Sequence, residues 1–153
     1  MCDSSDKILP DETEQKMRDR NTVSRYKMRE QAFFLCFESL FSDTDIDELA
    51  DNAGDARDVF VSDYAIMCAR GVVEHESALD ALISAHLKEG WKVSRISRVS
   101  LAVLRLAIYE IQYVENVPVS VSINEAVELV KKYSVPEDAA FVNGVLGAVE
   151  KSL

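Results

Sequence analysis

The chain is poor in residues that break or staple a fold: of 153 residues only 5 are glycine, 3 proline and 3 cysteine. That scarcity excludes collagen-like and low-complexity chains, and a 48% hydrophobic share with 29% charged residues is the composition of a globular domain rather than a disordered one. Cys2, Cys36 and Cys68 are odd in number, far apart and without a C-x-x-C spacing, so neither a disulfide framework nor a zinc knuckle is indicated. Long hydrophobic runs are also missing. The longest greasy stretch, Val99 to Val114, is interrupted by Arg105 and Glu110 and is too short for a bilayer crossing. The N-terminus carries Asp3, Asp6, Asp11, Glu12 and Glu14 where a secretory signal needs apolar residues. The expectation is one soluble, cytoplasmic unit with no membrane partner.

Catalytic signatures are absent as well. Glycines 54, 71, 90, 144 and 147 never form a G-x-G-x-x-G or Walker loop, and the G-x-x-G letters of Gly144 to Gly147 enclose apolar residues, unlike an exposed KH loop. His75-Glu76 is not followed by the second histidine of a zinc-protease helix, so His75 and His86 read as partly exposed helix residues and no metal is expected. Glu125 and Glu128 have the look of an acid/base pair, but Glu128 precedes Lys131 and Lys132 at the spacing of helix-surface ion pairs. Cys36 and Cys68 lie on apolar faces, where a thiol is a small core residue. No catalytic residue and no cofactor is nominated, and the chain is not expected to be an enzyme.

The net charge of -10 argues on average against nucleic acid, but the sign alternates along the chain. Residues 1–15 carry one base and five acids, residues 16–30 six bases and two acids, residues 31–80 two bases and twelve acids, and residues 81–153 eight of each. With a Debye length of about 8 Å at physiological salt, a basic patch acts locally beside an acidic face. The basic segment holds Lys16, Arg18, Arg20, Arg25, Lys27 and Arg29. Arginine offers a planar fork for phosphate and lysine a point charge, while cations at a helix start oppose the macrodipole and ask for another purpose. Single-stranded RNA fits such an arm, against the plain alternative of a solvated helix start.

Hydrophobic periodicity is helical almost throughout. Residues 1–23 lack it and read as a flexible tail, leaving 24–153 as the folded domain. From Met28, Ala32, Leu35, Cys36 and Leu40 an amphipathic helix is expected, widened by Phe33, Phe34, Phe37 and Phe41. A short helix fits Ile46 and Leu49, and a longer pattern from Phe60 breaks near Gly71 and resumes to Leu87. A very apolar helix starting around Ser94 should be the central, most buried one. Val117, Val119, Val121 and Ile123 alternate like a strand, but no partner strand exists. The S-x-x-E pairs Ser122/Glu125 and Ser134/Glu137 predict capping boxes for the last two helices. Asn143-Gly144 suggests close helix packing inside the last one. The sum is an all-α fold of six or seven helices.

The sequence then resembles the NusB antitermination factors. The match is most specific over Trp91 to Leu146, in Arg98-Val99-Ser100-Leu101-Ala102-Val103-Leu104-Arg105-Leu106-Ala107-Ile108-Tyr109-Glu110, Val117-Pro118, Ile123-Asn124-Glu125-Ala126-Val127-Glu128-Leu129 and Phe141-Val142-Asn143-Gly144-Val145-Leu146. It is looser through Arg25, Lys27, Arg29, Glu30, Ala32 and Leu35, and covers about residues 24–150. The resemblance implies two small fused helical bundles, no catalysis, and a heterodimer with the small-subunit ribosomal protein NusE. That pair binds boxA RNA and helps the RNA polymerase elongation complex read through terminators, notably in ribosomal RNA operons.

By position, the implied RNA surface holds Arg20, Arg25, Lys27 and Arg29 with Glu137 and Phe141, and the implied NusE side holds Phe37, Ser100 and Arg105. Tyr26 and Met28 stand between the bases where the family often has adjacent arginines, and Ser100 stands where it often has an acid. The acidic tail suggests an electrostatic lid over the basic motif. Read from the residues alone, Phe141 and Phe37 are each either a core anchor or a contact platform. Arg105 is either paired with an acid or at an interface, and Asn124 and Asn143 satisfy backbone groups between helices. Alternative functions are a standalone RNA module in ribosomal RNA maturation and a protein-only adaptor using the acidic residues 38–80. Monomer and homodimer both remain open.

Overall fold

A computed structural model describes the backbone of residues 12–57 and 61–153, and the side chains of residues 25–53 and 61–153. The helices are α1 (Glu12–Ser39), α2 (Ile46–Arg57), α3 (Asp63–Glu74), α4 (Glu76–Ala85), α5 (Arg98–Tyr113), α6 (Val119–Tyr133) and α7 (Pro136–Ser152). A 3-10 turn, Val93–Arg95, precedes α5, and there is no strand among the described residues.

α1, α2 and α3 pack together as one group, α6 and α7 pair in another that α4 joins through α7, and α5 touches both. The reason is its sequence. Ser100 and every residue from Ala102 to Glu110 are buried, so α5 has almost no solvated face. Leu104 and Ile108 of α5 meet Leu79 and Ile83 of α4, Val130 of α6 and Leu146 of α7 in one continuous core. The two-bundle architecture therefore has a shared member.

Several boundaries differ from the periodicity. Backbone helix begins at Glu12 rather than near Ser24. Glu12-Thr13-Glu14-Gln15-Lys16-Met17-Arg18 is rich in strong helix formers, and intrinsic propensity needs no apolar stripe. Residues 1–11, and with them most of the expected lid, lie outside the described residues. The break between α3 and α4 falls at His75, not Gly71. α5 starts at Arg98 because Ser97 caps it, its hydroxyl oxygen accepting the Ser100 N–H at 3.2 Å.

Neither expected capping box forms. α6 begins at Val119 behind Pro118, which leaves Ser122 inside the helix and buried. α7 begins at Pro136, whose fixed φ and missing N–H suit a first helical position. Ser134 instead donates its hydroxyl to Asp138, which also accepts from Ser97 at 3.2 Å. Gly144 permits no close packing: a Cβ there would meet nothing within 4 Å.

Gly71 is the glycine that matters. It is buried in α3, and a Cβ built on it would lie 2.1 Å from Cζ of Tyr109 on α5. Tyr109 in turn stacks with Tyr113 at 5.1 Å, and His75 lies against Tyr113 at 4.4 Å.

Cys36 and Cys68 are both free and buried in the core. Burial, foremost, pushes each thiol up to about 12. Near neutral pH the reactive thiolate is then a trace species. Both should resist iodoacetamide in the native protein and label once it is denatured, as mapped by peptide mass spectrometry; rapid native labelling at either would contradict the buried placement.

Candidate nucleic-acid interface

The basic motif does not present all its cations on one surface. Arg25 and Lys27 are exposed, whereas Arg29, one turn beyond Arg25 on the same stripe, is turned into the core with 7% exposure. Its Nε–H is shared between Oε1 and Oε2 of Glu110 on α5, at 3.1 and 3.0 Å. Glu110 also accepts the Tyr64 hydroxyl from α3 and the Ser122 hydroxyl from α6 at 2.6 Å. One buried carboxylate is thus satisfied by donors from three other helices, which offsets the large cost of taking its charge out of water.

Burial, and then the bond to Glu110, raises the Tyr64 hydroxyl above the ordinary phenol range. The expectation that Arg29 reaches RNA is corrected accordingly, since its Nε–H is committed inside the fold. Arg25 lines a hollow of about 280 Å³ with Met28, Arg29 and Tyr64. Arg20, Lys16 and Arg18 lie on the α1 backbone, but their side chains are outside the described residues.

On the other flank of α1 is Glu30, three residues beyond Lys27. It accepts from Lys132 Nζ at 2.6 Å and from the Tyr133 hydroxyl at 2.7 Å, both on α6. Partial burial pushes Glu30 up, but the bonds from Lys132 and Tyr133 outweigh it and leave the carboxyl below its usual range. Lys132 also lies 5.8 Å from the Tyr26 ring centre. Of the ion pairs expected from Glu128, only that to Lys131 forms, at 3.5 Å.

At the start of α7, Glu137 is exposed in the first turn, where an acid suits the helix dipole. Phe141 is half-buried: it packs against the core and stacks on Trp91, ring centres 5.9 Å apart and planes 27° apart. Trp91 is 52% exposed. Together with His86, Lys88 and Gly144 the two rings line a cleft of about 560 Å³. Gly144 keeps this cleft open because it projects no side chain into it. Trp91 was not singled out as a site residue; its being the only tryptophan, set between Lys88 and Lys92 in a short polar connection, was the available signal. Asn124 and Asn143 are exposed and line a groove between α6 and α7, rather than satisfying buried backbone.

The residues expected on the partner side divide. Phe37 is half-buried, in contact with Phe33 at 5.9 Å and with Phe41 at 5.1 Å. Phe41 is 60% exposed, with the Arg98 guanidinium 4.8 Å from its ring centre, and neither was foreseen as a site residue. Ser100 is fully buried, its Oγ without a hydrogen-bond partner among the described residues, so it cannot touch a partner on this surface. Arg105 is also buried. Its Nε and Nη2 donate to the two oxygens of Asp80 at 2.8 and 2.7 Å, and Nη2 lies 3.1 Å from Glu76. Burial works against the Arg105 charge, but the bonds and attraction to Asp80, then Glu76, raise its pKa above the ordinary guanidinium value. Both placements correct the expected interface roles: Arg105 ties α5 to α4.

Among the described residues no group of three His, Cys, Asp or Glu side chains could hold a metal, and no helix is long and apolar enough to cross a membrane.

This all-helical body, with α5 shared between two groups of helices, superposes on solved antitermination factors. The structure of T. maritima NusB superposes with a TM-score of 0.74 at 34% identity, covering 83% of this chain and 90% of that one. A structure of the antitermination factors NusB and NusE in complex with dsRNA contains a chain that superposes with a TM-score of 0.74 at 27% identity, covering 84% of this chain and 98% of that one. In sequence, the transcription antitermination protein NusB of Limosilactobacillus reuteri is 39% identical over 134 residues, 86% of this chain and 96% of its own length. That of Agathobacter rectalis is 42% identical over 130 residues, 81% of this chain and 97% of its own. The NusB family model matches residues 26–151. The chain belongs to the NusB family, whose relatives here are transcription antitermination proteins and not enzymes.

Proposed function

We propose that this chain binds boxA-type single-stranded RNA jointly with NusE, and that the assembly promotes read-through by the RNA polymerase elongation complex, notably in ribosomal RNA operons. The observation that carries the reading is a basic motif midway along α1 whose Arg25 and Lys27 face solvent on an otherwise acidic protein. The Trp91–Phe141 cleft, with Glu137 at the same end of α7, supplies a flat aromatic site for an unpaired base. Phe37 and Phe41, with Arg98, supply the NusE contact in this reading. A relative solved with NusE and dsRNA supports the same pairing. Each partner adds local contacts, so neither protein needs to hold the RNA tightly alone.

Changing Arg25 and Lys27 together to alanine should weaken boxA RNA binding and reduce the slope of log affinity against log salt by about 0.7 per lost single-strand phosphate contact. Melting temperature should stay near that of the wild type, since both side chains are exposed. The measurement is a fluorescence anisotropy titration over a salt series with NusE present. An unchanged slope would remove α1 from the RNA surface. Retention of NusE without any dependence on RNA would favour the protein-only adaptor.

A further inference from the structure

The cation count on α1 falls by one when Arg29 turns inward, and the neighbouring helix end restores it. Lys131 and Lys132 form the last turn of α6, with side chains 58% and 51% exposed. Lys132 is held at 2.6 Å by Glu30, whose own side chain is only 12% exposed, and Lys27 lies one turn before Glu30 and acts on the same carboxylate. The negative charge is sunk between α1 and α6 while the Lys132 ammonium that it anchors remains in water. Lys132 stands 5.8 Å from the Tyr26 ring centre beside α1, while Lys131, the adjacent residue, opens onto the groove between α6 and α7 with Glu128 as its exposed counter-charge. An ammonium has three donors, and Glu30 takes one of those on Lys132.

We infer that the last turn of α6 extends the RNA surface of α1, with Lys131 and Lys132 contacting phosphates of the same single strand that Lys27 meets. The inference rests on the RNA reading above and adds residues to it. Lysines in the last turn also complement the helix dipole. That role explains their sign but not the anchoring of Lys132 to another helix, in line with an exposed lysine of the basic motif. Glu30 is the positioning residue: it fixes Lys132 beside α1 and spares the ammonium the rotamer freedom it would lose on meeting a phosphate.

The test uses the full chain with NusE and a fluorescein-labelled single-stranded RNA of boxA sequence. The double variant K131Q/K132Q should lower the salt slope by about 1.4, at about 0.7 per single-strand phosphate. A purely structural or dipole role would lower melting temperature and leave that slope unmoved, and this result overturns the inference. If wild-type protein shows no salt-dependent RNA binding at all, the RNA reading itself fails, which is a distinguishable outcome. Should the double variant not fold, acetylation footprinting of the wild type decides. RNA should protect Lys131 and Lys132, and equal modification with and without RNA, or protection by NusE alone, overturns the assignment.

Discussion

Replacing Arg29 with alanine is expected to destabilise the protein by about 3–5 kcal/mol, because it strands a buried carboxylate in low dielectric. For a chain of this size that is a fall in melting temperature of roughly 6–20 °C. Glu110 would keep the hydroxyls of Tyr64 and Ser122 but lose its only cation among the described residues. Arg25→Ala, one turn earlier on the same motif and exposed, should change stability by less than about 0.5 kcal/mol. The pair of measurements separates two roles that look identical in sequence. A stable Arg29→Ala protein that has lost RNA affinity would restore Arg29 to the interface. The double variant R29M/E110Q should be less damaged than the sum of its single changes, since it removes both charges together.

The second large effect is expected at Gly71. A methyl group there would sit 2.1 Å from the Tyr109 ring, closer than any non-bonded carbon can approach. Tyr109 has little room to retreat, because it is buried and its ring packs against Tyr113 at 5.1 Å and His75 at 6.1 Å between centres. Overpacking of this kind costs about 1–3 kcal/mol, and the severity of the clash places G71A at the upper end. Chemical denaturation should show the loss. Shortening the opposing ring in G71A/Y109L should recover part of it, through a coupling energy of the same order as the clash. If the double variant is simply additive, the two helices are not in the contact described.

How much of this was legible in the sequence follows from which forces each part obeys. α5 was legible as the central helix because its burial is written in consecutive apolar residues, and the expectation of six or seven helices came from helical period together with the want of a partner strand for Val117 to Ile123. Helix starts were less so. Ser122 and Ser134 carry the letters of a capping box, but Pro118 just before α6 and Pro136 at the first position of α7 set the starts; Ser122 turns to Glu110 on another helix, and Ser134 to Asp138 four residues on. The site was half legible. Arg25, Lys27 and Arg29 are equivalent as a charge pattern; only the position of Glu110, eighty-one residues away, decides that the third points inward. Ser100 and Arg105 failed as surface residues for the same reason, since exposure on a helix with almost no outer face depends on its neighbours. Trp91, Phe41 and Arg98 were missed because their meaning comes from pairings across loops that no local period reports.

The opposite charges of Glu110 and Arg105 lie on one rod: Glu110 fastens it to α1 and α3 of one group and to α6 of the other, and Arg105 fastens it to α4. α5 is thereby a wall of both groups. Severing the chain on either side of it would leave one group without the helix that completes its core, so the two ends of the molecule stand or fall together.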